Sequence, residues 1–336
     1  MSRHIQVETY MSLTGSNADN RVQVSPSQVG AAVKHLYNAV ASRTGAASVS
    51  AGQLPGEISQ ALDKTAEALV AAKGESLVVC GTNNLGEQIL VNGINHLLGN
   101  YGTTITFDEH SRLRQGDESD VSGLLNEMEN GRVDALFVMG ANPVFELPNG
   151  EAFAMAMGNV GLTISMALLD DETTAVCQYV APTHHGLESW GDAEPKKGHY
   201  SLMQPTIAPL FDTRQAEESL LKWSGSAAYR ADDDQLYYSY LRSTWEQDMM
   251  PAAGAADFRA FWDKCLHDGV LHVAQEPVQF TFTGDVQAAA ANVSSMEADG
   301  LEITLYESVN MGAGQYANNP WLMEMPDPIT RCVWGN

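Results

Sequence analysis

Short apolar runs alternate with amphipathic segments along the middle of the chain. Residues 76–80 and 134–140 have the nearly continuous apolar character of strands that are buried on both faces of a parallel sheet. Apolar residues recur between them at helical spacing, as at Ile89 and Ile94. Strands that alternate with helices in this way predict βαβ units. We therefore predict an α/β fold with a doubly wound, mostly parallel sheet and flanking helices. The predicted strands are residues 76–80, 103–107, 134–140, 162–166 and 179–182.

Helical patterns also flank this central region. Ser25 predicts the cap of an N-terminal helix with Pro26 at its first position, and Pro55 predicts the start of a second helix. A segment rich in Gly, Pro and His follows the sheet at 183–210, and we expect it to be a long ordered loop. The helices expected after that loop are residues 213–223, 234–249 and 257–267.

The C-terminal segment changes character. Residues 278–283 and 301–306 alternate apolar and polar side chains, as half-buried strands do. They predict the start of a β-rich domain that too few residues follow to complete, so we expect an incomplete fragment of a larger protein. The predicted division is 1–75 for the N-terminal strand and helices, 76–224 for the Rossmann-like domain, 225–275 for a helical segment and 276–336 for the β-rich segment.

Composition excludes several classes of function. The 336 residues carry 18 Lys and Arg against 42 Asp and Glu, a formal net charge of −24. Such a surface repels phosphate backbones and anionic lipid, so we expect neither nucleic-acid binding nor direct membrane insertion. The four cysteines are far apart and form no Cys-x-x-Cys motif, which excludes a closely spaced iron–sulfur or zinc site. The N-terminus has no apolar signal core.

Two glycine-containing loops follow predicted strands, where α/β folds bind ligands. Gly81, Thr82 and Asn83 precede a helix whose N-terminal N–H groups favour a phosphate, but they match neither dinucleotide nor P-loop fingerprints. Either a phosphate site or an ordinary turn fits this pattern.

A second loop carries Gly140, Asn142 and Pro143, which would present backbone and amide groups to a nucleotide edge. A tight turn shaped by Gly and Pro is the alternative interpretation.

A group of histidines and carboxylates lies in the 183–210 segment. His184, His185 and Glu188, with Asp192 and His199 nearby, carry groups that ligate zinc or iron. Their spacing matches no standard helical motif, and solvated histidines in an irregular acidic loop are the favoured interpretation. We predict no metal ligand and no catalytic residue, and no Gly-x-Ser-x-Gly nucleophile motif is present.

Several of these segments together carry a family resemblance that covers most of the chain, from about Tyr10 onward. The chain resembles the third domain of molybdopterin oxidoreductases of the DMSO-reductase type, and more closely the molybdopterin-like half of the large iron–sulfur subunit of alternative complex III. The segments that carry the resemblance are residues 81–84, 95–102, 135–143, 180–192, 194–201, 204–214 and 319–328.

The resemblance implies a component of a bacterial quinol:acceptor oxidoreductase on the periplasmic side of a membrane partner. It implies a non-catalytic scaffold that has lost the pterin cofactor, with iron–sulfur clusters only in the iron–sulfur half that this chain lacks. The alternative is the domain of an active molybdoenzyme that binds molybdopterin guanine dinucleotide, for which Gly81, Thr82, Asn83, Gly140, Asn142 and Pro143 are the candidate residues, followed by His184 and Glu188. An unrelated nucleotide-binding protein is a third interpretation, which the missing fingerprints disfavour.

Overall fold

The computed structural model describes residues 2–294, 298 and 300–334, which form two compact units. The first unit takes residues 1–107 and 277–336, and the second takes residues 108–276. The helices, in chain order, are α1 (Leu13–Ser16), α2 (Val29–Thr44), α3 (Gly56–Ala71), α4 (Leu85–Leu97), α5 (Glu118–Glu129), α6 (Pro143–Glu146), α7 (Gly150–Met157), α8 (Ala216–Trp223), α9 (Leu236–Thr244), α10 (Met250–Ala252), α11 (Phe258–Asp268), α12 (Val286–Ala291) and α13 (Pro320–Glu324). The strands are β1 (Ile5–Glu8), β2 (Asn20–Gln23), β3 (Ala135–Met139), β4 (Leu162–Met166), β5 (Tyr179–Val180), β6 (Gly191–Lys196), β7 (His199–Met203) and β8 (Val270–His272). Among the described residues, no helix combines the length and apolar character needed to cross a membrane.

The first unit is built on helices that share one core. Ser25 forms a capping box with Gln28, and Pro26 begins the 3₁₀ turn that leads into α2, as the sequence predicts. Helices α2, α3 and α4 pack on one shared core. The fully or largely buried core residues are Tyr37, Ala39, Val40, Ala41, Val49, Ala66, Leu90, Ile94, Leu98, Ala289, Ala290 and Val293.

Residues 76–80, which the sequence predicts as a strand, instead form backbone hydrogen bonds with side chains of α4. Asn95 donates from Nδ2 to the carbonyl oxygen of Val78 at 2.7 Å and accepts from the Val78 N–H at 3.0 Å. Gln88 donates from Nε2 to the carbonyl oxygen of Cys80 at 2.9 Å. These amides take backbone groups that a neighbouring strand would otherwise use. The segment therefore belongs to no strand, contrary to its apolar pattern.

The C-terminal part of the first unit contributes helices. Residues 278–283 and 301–306 form no strand, so the β-rich segment expected there is absent from the described residues. α12 packs on α4 at Gly86, where an added Cβ atom would lie 2.6 Å from the carbonyl oxygen of Ala289. Alternating side chains alone do not make a strand unless a neighbouring strand supplies backbone partners.

Three predicted strands of the second unit form its parallel sheet. β3 pairs with β4, and β4 with β5, in the order β3-β4-β5. This confirms the α/β class with a parallel sheet and flanking helices. The remaining predicted strand, 103–107 in the first unit, instead forms a turn with an isolated bridge between Tyr101 and Ile105. The buried residues beneath the β3-β4-β5 sheet are Met128, Leu136, Val138, Phe153, Ala156, Met157 and Val160.

A β-hairpin lies within the segment 183–210, which the sequence predicts as a loop. β6 and β7 pair antiparallel, and β8 adds to the other side of β7. Gly198 turns the chain with φ +79°, and a Cβ atom there would lie 2.5 Å from the carbonyl oxygen of Val273. The hairpin escapes prediction because β6 is polar and contains Pro195, beside which its register shifts.

Helices α8, α9 and α11 lie close to the positions that the sequence predicts. Trp245 is fully buried in their aromatic core and contacts Trp262 edge-on. Its indole N–H donates to Oδ2 of Asp192 on β6 at 2.8 Å. This bond adds to the packing of Trp190, Tyr200 and Leu202 against the same aromatic core, and together they link the hairpin to the helices.

The ion pair between Glu8 and Arg21 should make the stability of the first unit sensitive to acid. Burial alone would raise the pKa of Glu8, but hydrogen bonds from Ser12 (2.6 Å) and Arg21 (2.5 Å) outweigh it and hold the pKa below its usual range. A carboxyl with a lowered folded-state pKa stabilises the fold above its unfolded-state pKa of about 4.3, and that stabilisation is lost as the pH falls through the folded value. We expect Glu8→Gln to flatten the fall in unfolding free energy below about pH 4.3, measured by urea denaturation. The exposed Glu67→Gln is the control, and equal slopes for wild type and Glu8→Gln would contradict this account.

Candidate functional site

The first candidate loop leads into α4, and its polar groups bond within the loop. Asn84 caps the helix by accepting from the Glu87 N–H at 3.1 Å. Thr82 donates from Oγ1 to Oε2 of Glu87 at 2.5 Å. Gly81 and Asn83 are exposed. The loop is thus a helix cap that leaves the backbone of these two residues open to solvent.

The N-terminus of α4 already holds an anionic group. Glu87 is buried in the first turn of this helix, where a carboxylate complements the positive end of the helix dipole. Burial lowers the pKa of Lys34, and the nearby Glu87 opposes that shift. The Lys34 ammonium also donates to the carbonyl oxygen of Val293 at 2.8 Å. A phosphate at this helix end would meet a buried carboxylate, which disfavours the phosphate-site interpretation.

The second candidate loop belongs to the second unit, and its amide side chain is engaged. Gly140 adopts φ +61°, and Pro143 begins α6. Asn142 donates from Nδ2 to Oε2 of Glu172 at 2.7 Å, and this bond holds the pKa of Glu172 below its usual value. The Oδ1 atom of Asn142 accepts from both the N–H (3.2 Å) and the hydroxyl (2.7 Å) of Thr173. The Oδ1 atom of this amide is therefore occupied by Thr173, and one of its two Nδ2 hydrogens is taken by Glu172.

His184 and Glu188 serve the local fold of the 183–210 segment. His184 Nδ1 lies 2.6 Å from the hydroxyl of Thr213. Glu188 accepts from the backbone N–H groups of His185 (2.8 Å) and Leu210 (2.9 Å), and these bonds lower the pKa of the carboxyl. The carboxylate caps the 3₁₀ turn at residues 186–188 and holds the backbone at Leu210 close to this turn.

Two cations near the candidate segments in sequence are already paired. Arg112 forms an ion pair with Glu194, and Lys196 Nζ lies 2.6 Å from Oε2 of Glu109. A dinucleotide diphosphate needs cationic side chains or free N–H groups. Neither pair leaves its cation free for such a ligand.

Within the part of the chain that the structure describes, two histidines and a carboxylate form a cluster that sequence spacing does not reveal. Glu109, His199 and His272 meet beside Lys196 on the β6-β7-β8 sheet. Bonds from Lys196, His272 and His199, in that order of effect, lower the pKa of Glu109 to about 2. The sequence singles out His199 alone, because the other two residues lie in distant segments. No spacing rule could have joined them.

Comparison with known proteins supports the resemblance seen in the sequence. No family model matches the chain. Over 193 residues the chain is 32% identical to the "menaquinone reductase, molybdopterin-binding-like subunit" of Nitratidesulfovibrio vulgaris (strain Hildenborough). Among solved structures, acetylene hydratase from Pelobacter acetylenicus matches with a TM-score of 0.61 at 11% identity. The chain is molybdopterin oxidoreductase-like.

Each match covers only part of the related protein, and this limits which of that protein's properties can be applied to this chain. The sequence match covers 56% of this chain and 26% of the menaquinone reductase subunit. The structural match covers 87% of this chain and 51% of acetylene hydratase, and at its low identity it shows the fold alone. The chain therefore spans about a quarter and about half of these two proteins.

Proposed function

We propose that this chain is a non-catalytic scaffold within a molybdopterin oxidoreductase-like subunit of a respiratory quinol:acceptor oxidoreductase complex. The complex is of the alternative complex III type and lies on the periplasmic face of a bacterial inner membrane. Its partners are the other subunits and an iron–sulfur portion that carries the electrons. The main observation that supports this proposal is the 32% identity to a molybdopterin-binding-like subunit of a menaquinone reductase.

The candidate loops support a role without a pterin. The carboxylate of Glu87 is buried at the N-terminus of α4, and the amide of Asn142 is held by Glu172 and Thr173. A pterin dinucleotide carries a diphosphate, and neither a buried carboxylate nor an amide that already has partners favours binding such an anion. The residues present therefore do not fit this cofactor, and we assign it no chemistry in this chain.

An exposed apolar segment supports a role in assembly. Leu210 and Phe211 are 70% and 77% exposed, and Leu187 beside them is 52% exposed. The segment is held in place because the Thr206 N–H donates to the carbonyl oxygen of Leu187 at 2.7 Å and Glu188 accepts from the Leu210 N–H. A fixed apolar surface of this kind is typical of a contact with a protein partner. We propose the iron–sulfur portion of the complex as that partner.

The alternative is that one or both candidate loops bind molybdopterin guanine dinucleotide in an active enzyme. It draws support from the words "molybdopterin-binding-like" in the name of the related subunit. Its binding residues would be Gly81, Thr82, Asn83, Gly140, Asn142 and Pro143.

Isolation of the native complex tests the assembly role. We expect the tagged full-length protein to co-purify with iron–sulfur and membrane subunits, and the Leu210→Ser/Phe211→Ser variant to lose about tenfold or more of these partners because apolar anchors dominate interface energy. The matched control is Met155→Ser, which removes another exposed apolar side chain, 73% exposed, on α7. A wild-type protein that purifies alone, or a double variant that assembles normally, would contradict the assembly role.

A further inference from the structure

The cluster of Glu109, His199 and His272 is built on paired strands. His199 begins β7 and His272 ends β8, and the two residues are direct partners in the antiparallel ladder. Directly opposed residues place their side chains on the same face of a sheet. The two imidazole rings accordingly lie with centroids 4.3 Å apart and planes 30° apart.

The carboxylate of Glu109 completes the cluster. Its Oε2 atom lies 3.1 Å from Nε2 of His199, and its Oε1 atom lies 2.9 Å from Nε2 of His272. The three potential ligand atoms lie within 4.8 Å of one another. Two ligands of a tetrahedral Zn²⁺ with bonds near 2.05 Å stand about 3.3 Å apart. Only small side-chain adjustments therefore separate this arrangement from a metal-bound one.

The cluster is also accessible to an ion. The side chains of His199 and His272 are 39% and 52% exposed, while that of Glu109 is 23% exposed. The two histidines line an open cavity of ≈360 Å³ next to Tyr200. A metal held by two imidazoles and one carboxylate keeps at least one coordination position for water.

We propose that Glu109, His199 and His272 bind a divalent transition-metal cation, with Zn²⁺ as the reference ion. The two Nε2 atoms and the carboxylate supply nitrogen and oxygen ligands of the kind that Zn²⁺ takes in proteins. This inference rests on the geometry of the second unit and is independent of the proposed scaffold role.

Lys196 supplies a specific test, because its ammonium competes for Glu109. Its Nζ atom lies 2.6 Å from Oε2, the same oxygen that faces His199. A metal ion would have to displace this cation or share the oxygen with it. Removing the charge with Lys196→Met should therefore strengthen metal binding, whereas it would weaken a cluster held together only by hydrogen bonds.

The experiment is a calorimetric titration of the chelator-treated full chain with Zn²⁺. We expect one site, with affinity reduced at least about tenfold in His199→Gln, His272→Gln and Glu109→Gln, as for lost metal-site partners. Lys196→Met should bind more tightly than wild type. The control is His267→Gln, an exposed histidine beside Asp268 that lies outside the cluster.

A second measurement uses only the wild-type chain, so its result does not depend on whether a variant folds. In the wild-type chain, the ¹⁵N NMR signals of Nε2 in His199 and His272 should shift on addition of Zn²⁺, while those of His267 should stay in place. No Zn²⁺ binding, unchanged affinity in the three ligand variants, equal weakening in His267→Gln, or weaker binding in Lys196→Met would each overturn the proposal.

Discussion

Trp245→Ala should lower the free energy of unfolding of the second unit by about 3–5 kcal/mol, the usual cost of removing a large buried aromatic side chain. Trp245 is fully buried and packs against Phe261 and Trp262, so its removal leaves a cavity in the aromatic core. It also ends the bond from its indole N–H to Asp192 on β6. Urea unfolding followed by circular dichroism measures the loss, and hydrogen exchange of residues 236–272 locates it in this unit.

Phenylalanine variants separate the hydrogen bond from the packing. Trp245→Phe removes a bond to a charged acceptor, which is worth about 1.5–3 kcal/mol. Trp262 is the matched control, because its buried Nε1 atom has no protein partner among the described residues. Trp262→Phe should therefore cost less than Trp245→Phe. The reverse order would contradict the stabilising role assigned to the hydrogen bond between Trp245 and Asp192.

Asn95→Ala should destabilise the first unit by about 3 kcal/mol, because buried polar groups left without partners cost about 1–3 kcal/mol each. The buried Asn95 uses its full bonding capacity. Its Nδ2 atom donates to the carbonyl oxygens of Val78 and Val91, and its Oδ1 atom accepts from the Val78 N–H and from Nδ2 of Asn100. Hydrogen exchange should also show faster exchange of the Val78 amide.

The control for this variant lies on the same helix. Asn92 is exposed, so Asn92→Ala should change stability by less than about 0.5 kcal/mol. Asn95→Asp should be worse than Asn95→Ala at neutral pH, since a carboxylate cannot donate to Val78 and its charge would be buried. If Asn95→Ala proves as mild as Asn92→Ala, the side chain does not anchor residues 76–80.

Periodicity and capping correctly predicted six helices of the described residues, namely α2, α3, α4, α8, α9 and α11. The Ser25 and Pro26 signal precedes α2, and the apolar spacing of Ile89 and Ile94 lies on α4. Strands β3, β4 and β5 were also predictable, because each is a short apolar run between helices. In all these cases the sequence signal lies within the element that it predicts.

The errors arise where distant residues decide the structure. Residues 76–80 have the pattern of a strand, yet their backbone bonds go to the side chains of Asn95 and Gln88. The hairpin of β6 and β7 depends on close packing at Gly198 and tolerates Pro195, so its sequence resembles a loop. Local patterns carry no information about such partners.

Some features of the candidate site could likewise be predicted from local sequence, and others could not. The positions of Gly81 and Gly140 after apolar runs could be predicted, but the engagement of Asn142 by Glu172 and Thr173 could not. The meeting of Glu109 with His199 and His272 was equally hidden, since it depends on the pairing of β7 with β8. Both features require the fold before the chemistry can be stated.

The central claim is that this chain is a scaffold within a molybdopterin oxidoreductase-like subunit and binds no pterin. Its most direct test is the content of molybdenum, tungsten and pterin in the full-length protein, purified from the organism that encodes it. Elemental mass spectrometry and pterin fluorescence after oxidation give these values. We expect neither metal and no pterin at stoichiometric levels. One pterin per protein with molybdenum or tungsten would contradict the claim and make Gly81, Thr82, Gly140 and Asn142 the first residues to substitute.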